Sequence, residues 1–465
     1  MIDELSALTV IFTEFYYWVT VVLMFLIHVG FCLYEVGCAR EKHKLNTLMK
    51  NAMLIPVITA GFFFFGWWIY FAFQNGPGIT GGLKNAPWSE PWNELMGTHL
   101  GGQPADSQLT TEDTHLWSRL NGVFWAAFLL FSWTAGSILS GAVIERIRSA
   151  GFWLLALLVG CVTWVIAAAW GWSDSGWMVN RLGYHDAYAS GVIHALAGGS
   201  ALAILINLGP RIGRFREDGT PRVFPAHNVW MVAIGMFLIY TGFWGFYAAC
   251  NVPIIDIDPD AGGTFFSATT IYLTPTTLSA ITFNFLMSLA GGMIVGYWVS
   301  KGDPFWMFQG GLGGIITASA GNDLYHPYQA FFVAILGVFC AYRLHYWVER
   351  KFKLDDAVGA VAIHGYCGSI GVISAGFLLW GYPSSIYEGY APITPWGQIA
   401  GAAIIFIGLG FIPCFILAWI LNKAGVLRVP PEVELAGLDH ELQDADAVHE
   451  KERAEFEYTA MANFK

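Results

Sequence analysis

The sequence predicts an all-helical integral membrane protein with eleven transmembrane helices. Of its 465 residues, 55% are hydrophobic and only 12% are charged, whereas a soluble domain carries about 25% charged residues. Runs of about 20 apolar residues, long enough to cross a bilayer, recur along the chain. This composition excludes an ordinary soluble enzyme, and no basic patch indicates a nucleic-acid partner.

Eleven apolar runs are predicted to span the lipid bilayer, most of them separated by short turns that are charged or rich in Gly and Pro. The longer loop 74–116 is predicted to be an external cap. No Lys or Arg precedes Arg40, so we expect no cleavable signal peptide and a retained first span. The predicted spans cover approximately residues 10–36, 46–73, 117–142, 150–171, 187–208, 227–250, 268–300, 304–321, 328–347, 357–381 and 395–422.

The basic residues orient these spans. Most of the 23 lysines and arginines lie in one set of loops, which marks the cytoplasmic side. We therefore expect the N-terminus outside and the C-terminus in the cytoplasm of a multi-pass protein of the cell (plasma or inner) membrane. An odd number of spans agrees with this orientation. The basic set comprises residues 40–44, 146–148, 211–222, 301, 343–353 and the tail after 422.

The chain is predicted to divide into a membrane domain at 1–423 and a cytoplasmic tail at 424–465. Composition favours a solvated tail, with a regulatory dock as the alternative. Its acidic residues include Glu432, Glu434, Asp439, Glu441, Asp444 and Asp446.

An internal repeat places one histidine in each half of the membrane domain. Residues 186–194 and 356–364 both begin with Asp-Ala and end with Ile-His. They lie in the fifth and tenth spans, so five spans per repeat (about 10–208 and 227–381) make the second half inverted, with an extra helix at about 395–422. Inverted repeats with a site at the membrane midplane are a transporter architecture.

The spacing within the repeat brings both histidines to the middle of the bilayer. Eight helical residues rise about 12 Å, and the hydrocarbon core is about 30 Å thick. His194 and His364 therefore approach the midplane from opposite faces and are predicted to form a pore or ligand pair. A lone membrane histidine such as His28 is more simply a packing residue.

The two aspartates of the repeat have a different predicted role. A carboxylate at a helix start accepts backbone N–H bonds and complements the helix dipole. We expect this structural role for Asp356. Asp186, on the outer side, could also interact with an incoming cation.

Neither a metal nor a cofactor is expected. None of the seven cysteines forms a CxxC pair, so a zinc or disulfide framework is not predicted. Haem held by intramembrane histidines is the enzyme alternative. It is disfavoured because the repeat supplies no further ligand pairs.

Several motifs together resemble the ammonium transporter (Amt/Mep/Rh) family, from about Phe12 to Asp439. They are the segment 141–148 (Gly-Ala-Val-Ile-Glu-Arg-Ile-Arg), the two Asp–His segments, Val-Pro-Pro at 429–431 and Gly-Leu-Asp at 437–439. The resemblance implies transport of ammonium or ammonia by a homotrimer of eleven-span subunits, each with its own pore.

The resemblance also implies roles for individual residues. Phe131 and Phe246 match the stacked phenylalanines of the family's outer gate. Trp172 matches the tryptophan of the external ammonium site, with Trp170 as the alternative. His194 and His364 match the family's twin histidines. The resemblance therefore implies a pore for ammonium or ammonia and no enzymatic function.

The outer vestibule departs from the family pattern. Asp-Ala-Tyr-Ala at 186–189 replaces Asp-Phe-Ala-Gly, and Tyr247 follows the second gate phenylalanine in place of asparagine. Cys250 aligns with a serine that binds the external ion, and Ala127 with an aromatic residue. We hypothesise that Tyr188 or Tyr247 supplies the missing aromatic face or hydroxyl.

Three functions remain open at this point. The first is a transporter or channel for ammonium or ammonia. The second is an ammonium sensor with little or no flux, and the third is a Rhesus-like channel for neutral gas. The resemblance further implies a PII-type signalling protein as a partner at the cytoplasmic face.

Overall fold

The structure is a computed structural model, and it describes residues 2–73, 113–173, 176–254, 267–270, 275–385 and 388–439. Within those residues, ten helices are long and apolar enough to cross a membrane, which confirms a helical multi-pass architecture. A further apolar helix of 15 residues, Pro304–Ala318, continues into a 3-10 turn at Ser319–Gly321. The count of eleven spans and the orientation of the termini stay predictions.

In chain order the long helices and Pro304–Ala318 are named α1 (Ile2–Cys38), α2 (Glu41–Ala72), α3 (Asp113–Ala142), α4 (Ser149–Gly171), α5 (Ser190–Leu208), α6 (Val229–Ala249), α7 (Leu278–Val299), α8 (Pro304–Ala318), α9 (Pro327–Phe352), α10 (Val361–Leu378) and α11 (Pro395–Lys423). Two short helices, Trp177–Leu182 and Pro431–Ala436, lie outside these spans. Residues 74–112 of the predicted external cap lie outside the described residues.

The beginning of the predicted seventh span is wrong. The chain forms three short antiparallel strands before α7: β1 (Asn251–Ile254), β2 (Ser267–Thr270) and β3 (Pro275–Thr276), in the order β1-β2-β3. Asn251 pairs with Thr270, and Ala268 with Thr276. The helix begins only at Leu278, because Thr277 accepts a hydrogen bond from the backbone of Ala280 at 3.1 Å and caps it.

Helix starts elsewhere follow from capping residues in the sequence. Five spans begin directly after a polar side chain that accepts a backbone N–H, and α8, α9 and α11 each have proline in the first turn. These caps are Asn228 on α6, Thr277 on α7, Asp303 on α8, His326 on α9 and Thr394 on α11.

The two repeats pack on one another through glycine. On α1 and α6, a Cβ built on Gly30 would lie 2.6 Å from the carbonyl oxygen of Gly235. On α5 and α10, a Cβ on Gly198 would lie 2.2 Å from the Cα of Gly365. Such backbone approach needs small residues, as in other membrane helix interfaces. Equivalent helices of the two halves therefore meet, which brings the histidine-bearing α5 and α10 together.

A buried network of charges joins the helix ends on the face that is predicted to be cytoplasmic. Arg211 donates to both carboxylate oxygens of Asp355 at 2.8 and 2.9 Å, and Arg40 donates to Glu145 at 2.7 Å. Arg146 adds a bond to the backbone carbonyl of Asp355 at 2.7 Å. Burial alone would raise the pKa of Asp355, but the attraction of Arg211 and Arg146 brings it below its ordinary value.

The tail is docked on this face as far as Asp439, so the prediction of a solvated tail is wrong for that part. Glu434 accepts from the backbone of Ile212 and from Arg428, both at 2.7 Å. Asp439 accepts the backbone N–H groups of residues 45 and 46 at the start of α2, at 2.9 and 2.8 Å. The contacts of Asp439 satisfy N–H groups that the start of a helix leaves free. Glu441, Asp444 and Asp446 lie outside the described residues.

Candidate functional site

Both histidines of the repeat lie in the same kind of helical distortion. His194 is in a π-helical turn at Ser190–Ala195 of α5, and His364 is in one at Val361–Tyr366 of α10. Five residues before each histidine, the backbone is left-handed, with φ of 69° at Ala189 and 73° at Gly359. Single π turns are frequent at functional sites. The repeat thus preserves the local backbone as well as the residue type.

The two imidazoles meet directly. The Nδ1 atoms of His194 and His364 are 3.0 Å apart, and the ring centroids are 5.2 Å apart at an interplanar angle of 25°. His194 is fully buried and His364 is 4% exposed. Among the described residues, Nε2 of His194 has no hydrogen-bond partner. The pair therefore keeps hydrogen-bonding capacity beyond the bond that joins it.

The two aspartates make equivalent caps. Asp186 accepts the backbone N–H groups of Gly191 and Val192 at 2.8 and 2.9 Å. Asp356 accepts those of residues 360 and 361 at 2.8 and 2.9 Å, and that of residue 362 at 3.4 Å. This geometry is the helix-start cap expected for Asp356. Each carboxylate orients the turn that carries one of the histidines.

The predicted gate phenylalanines lie against one another and against the histidines. Phe131 and Phe246 have centroids 4.7 Å apart at 85°, so they meet edge to face and not in the stacked arrangement that the resemblance implied. Phe246 stacks on His194 at 5.8 Å, and Phe243, which the sequence did not single out, does so at 5.9 Å. On the other side, Phe31 lies 6.5 Å from His364. The histidine pair is therefore enclosed by aromatic rings.

Trp172 lies beside the gate. Its ring is 4.9 Å from that of Phe131, and its Nε1–H donates to the carbonyl of Ala187 at 3.3 Å. The alternative, Trp170, contacts Trp177 at 5.6 Å. Of the two tryptophans, Trp172 is the one in contact with the predicted gate.

The other predicted recruitment residues form a buried group nearby. Tyr188 and Tyr247 stack face to face at 4.1 Å. The Tyr247 hydroxyl is 2.7 Å from Ser319 Oγ, and the Tyr188 hydroxyl donates to Asn251 at 3.3 Å. Cys250 donates through Sγ to the carbonyl of residue 246 at 3.1 Å. Both hydroxyls and the thiol therefore make hydrogen bonds within the protein.

Sequence reasoning missed a further buried histidine, His185, and its carboxylate partner. Nε2 of His185 lies 3.0 Å from both carboxylate oxygens of Asp323, and neither side chain is exposed. His185 adjoins Asp186, which was a signal in the sequence. Asp323 lies 138 residues away, and only the fold brings the two together.

The described residues contain no group of three or more His, Cys, Asp or Glu side chains that could hold a metal ion. His194 and His364 bond to each other through Nδ1, so each would have to give up that contact to ligate a metal through Nδ1. The donor set favours recognition of a small hydrogen-bonding molecule.

The glycines between α5 and α10 provide a direct test of this geometry. A Cβ on Gly198 would approach the backbone of Gly365 to 2.2 Å, whereas a Cβ on Gly365 would come no closer than 3.1 Å, to the ring of Phe406. Because backbone cannot move aside, Gly198→Ala should push α5 and α10 apart and lower the free energy of unfolding by about 1–3 kcal/mol, the cost of overpacking. Unfolding in mixed micelles of rising dodecyl sulfate content measures this.

Gly365→Ala is the matched control and should cost less, because its Cβ would lie 3.1 Å from the movable Phe406 ring and 3.3 Å from the Cα of Gly198. Size-exclusion elution of both variants in detergent shows whether they fold. An unchanged free energy of unfolding for Gly198→Ala, or a larger loss from Gly365→Ala, would contradict the close packing of α5 and α10.

The chain is similar to known proteins over nearly its whole length. The model of the Ammonium Transporter Family matches residues 14–447. Ammonium transporter Amt2 of Methanocaldococcus jannaschii is 30% identical over 427 residues, covering 90% of this chain and 87% of the relative. Ammonium transporter Amt2 of Archaeoglobus fulgidus is 29% identical over 443 residues, covering 90% and 84%.

Solved structures share the fold. A structure titled Sensor Amt Protein superposes with a TM-score of 0.74 and 21% identity, covering 93% of this chain and 98% of the other. Mep2 of Candida albicans superposes with a TM-score of 0.66 and 18% identity, covering 90% and 86%. With a family match over nearly its whole length, this multi-pass membrane protein belongs to the Ammonium Transporter Family.

Proposed function

We propose that the chain carries ammonium or ammonia across the cell membrane through a pore centred on His194 and His364. The observation that carries this proposal is the buried 3.0 Å contact between the two Nδ1 atoms, with aromatic rings on both sides. Polar rings in the hydrocarbon region are costly and are usually retained for function. The family and its named ammonium transporters supply the substrate.

The aromatic residues would serve two steps of this function: recruitment of the ammonium ion and exclusion of other cations. Trp172 is fully buried, so an ammonium ion would reach its face only after neighbouring rings move aside, and there it would gain roughly 0.5–2 kcal/mol. Phe131 and Phe246, in edge-to-face contact, would then block a hydrated cation. Moving a bare ion past them costs far more than moving neutral ammonia. Ammonium would therefore give up its proton to Nε2 of His194, which has no hydrogen-bond partner among the described residues, and the proton and the ammonia would then cross separately.

The first experiment is a current measurement. Protein in sealed liposomes on a solid-supported membrane should give a saturable current after an ammonium concentration jump. If no current appears, the internal pH of the same liposomes tells neutral ammonia flux from the absence of flux. Binding of ammonium with neither signal would contradict transport and favour the sensor function.

The sensor alternative rests on the altered outer vestibule. Tyr188 and Tyr247 stack on each other, and their hydroxyls bond within the protein, so binding there could differ from that in other family members. A protein titled as a sensor shares the fold, although at 21% identity this supports the fold alone. A Rhesus-like gas channel is the third function, for which flux would not depend on Trp172.

We also propose a homotrimer and a PII-type partner, both on the strength of the family. Large apolar side chains on the described surface, such as Trp230 and Trp298, are 77% and 74% exposed, and lipid or a neighbouring subunit would cover them. The membrane domain would end near residue 423. The docked segment 424–439 and the basic loops would form the face that a PII-type protein meets.

A further inference from the structure

A cavity of about 370 Å³ lies at the cytoplasmic ends of α8, α9 and α10. His345 of α9 and Asp356, which caps α10, both line it. The same two residues also line a small second cavity together with Tyr366, two residues beyond His364. His345 therefore lies between the cytoplasmic cavity and the helix turn that carries a pore histidine.

The imidazole of His345 lies close to the Asp356 carboxylate, which caps α10. Its Nδ1 is 3.8 Å from Asp356 Oδ2, and the side chains are 12% and 7% exposed. The same oxygen accepts the N–H groups of Val361 and Ala362 at 2.9 and 3.4 Å. A protonated imidazole would compete with these two N–H groups for Asp356, since a charged donor makes the stronger hydrogen bond.

The inverted repeat supplies an internal comparison. Asp186 caps α5 in the same way, but its Oδ2 also accepts from the hydroxyl of Tyr184, at 3.2 Å. An ordinary tyrosine keeps its proton through the physiological pH range, whereas histidine titrates within it. The cap on the inner side therefore has a titratable neighbour in the position where the outer cap has a tyrosine.

The other charged groups around His345 are engaged with one another. Asp355 is held by Arg211, and Glu349 forms an ion pair with Arg214. Arg350, on the same helix, lies over the ring of Tyr346.

Aromatic rings hold the imidazole from two sides. Trp306 of α8 and Tyr346 of α9 contact it edge to face at 5.4 and 5.0 Å. This packing restricts the ring, while Nδ1 remains near Asp356.

We propose that His345 is a positioning residue for the pore, whose protonation from the cytoplasmic side draws Asp356 away from the start of α10 and displaces His364. This inference rests on the proposed transport function. It makes transport respond to the pH of the inner compartment, with flux falling as His345 gains its proton. The step is an acid–base equilibrium with water in the cavity, and one proton adds to the imidazole.

The test uses right-side-out membrane vesicles, in which the lumen faces the cytoplasmic surface. Initial ammonium uptake is measured at one external pH while the luminal pH is set between about 4 and 7.5, a range that also covers a histidine whose protonation burial disfavours. His345→Gln should take up ammonium about fivefold faster than the parent at the acid end and equally fast at the neutral end, the size expected for a lost helix cap. The imposed gradient is the same for both proteins, so its effect cancels in the ratio.

His227→Gln is the matched control. His227 lies just before α6 at the same face, and its Nδ1 is 2.8 Å from the carbonyl of Ala39, so its removal should leave the parental response. Equal parental and His345→Gln rates at every luminal pH would overturn the role of His345. Absence of ammonium uptake by the parent would instead contradict the proposed function. Size-exclusion elution of the solubilised variants verifies folding.

Discussion

Replacing His194 or His364 with alanine should lower the ammonium-driven current at least about tenfold. Each variant removes one partner of the 3.0 Å Nδ1–Nδ1 contact and leaves the other imidazole buried with an unpaired polar atom. Such an atom costs about 1–3 kcal/mol, and about 1.4 kcal/mol in a barrier corresponds to tenfold in rate. Current on a solid-supported membrane, compared at equal protein density, measures the loss.

His28 offers a matched control, because it is also a buried membrane histidine. It lies on α1, is 4% exposed and packs edge to face on Trp133 at 5.1 Å. His28→Ala should keep most of the current, since the ring contacts neither His194 nor His364 in the described structure. An equal loss in all three variants would mean that any buried imidazole matters, and the assignment of the pore centre would then be wrong.

Replacing Asp355 with alanine should have the largest effect on stability. The carboxylate is fully buried and holds Arg211 through two hydrogen bonds, with Arg146 and Arg214 within 4 Å. Removing it leaves buried guanidinium groups unpaired, which costs about 3–5 kcal/mol. Unfolding in mixed micelles of rising dodecyl sulfate content measures the change in free energy.

The exposed Asp303, which caps α8, is the control for Asp355. Asp303→Ala should cost only about 1 kcal/mol, the value of a helix cap. Because the pKa of Asp355 is lowered in the folded state, its contribution is present above the unfolded value of about 4 and disappears as the pH falls below it. The difference between the parent and Asp355→Ala should therefore shrink in acid. A difference that is small at neutral pH would contradict the network.

The pairing of His194 with His364 could be predicted from the residues alone. The Asp–His spacing, the predicted inversion of the repeat and the rise of an α-helix per residue were enough to bring the two histidines together. The contact of Phe131 with Phe246 could not be predicted in this way, because the two residues are 115 positions apart and the chain has 35 phenylalanines from which to choose. Only the family resemblance singled them out. Neither a sequence pattern nor the family resemblance indicated the contact of His185 with Asp323, so it was not predicted.

The errors of prediction have physical causes. The segment before α7 is threonine-rich, and β-branched residues suit a strand as well as an apolar span. Hydropathy could not separate the two. Glu434 and Asp439 have the composition of a solvated tail, yet each carboxylate binds backbone donors that loops and helix starts leave free. A docked carboxylate and a solvated one look the same in sequence.

The bond between the two Nδ1 atoms gives the histidine pair a direction that the symmetry of the repeat does not have. A neutral imidazole carries one N–H, so one ring must donate through Nδ1 while the other accepts. The donating ring then has a bare Nε2, and the accepting ring has an Nε2–H. The pair thus has an acceptor at one end and a donor at the other. Taking up a proton at the bare end and releasing one at the far end reverses this direction, and each reversal moves one proton along the pair.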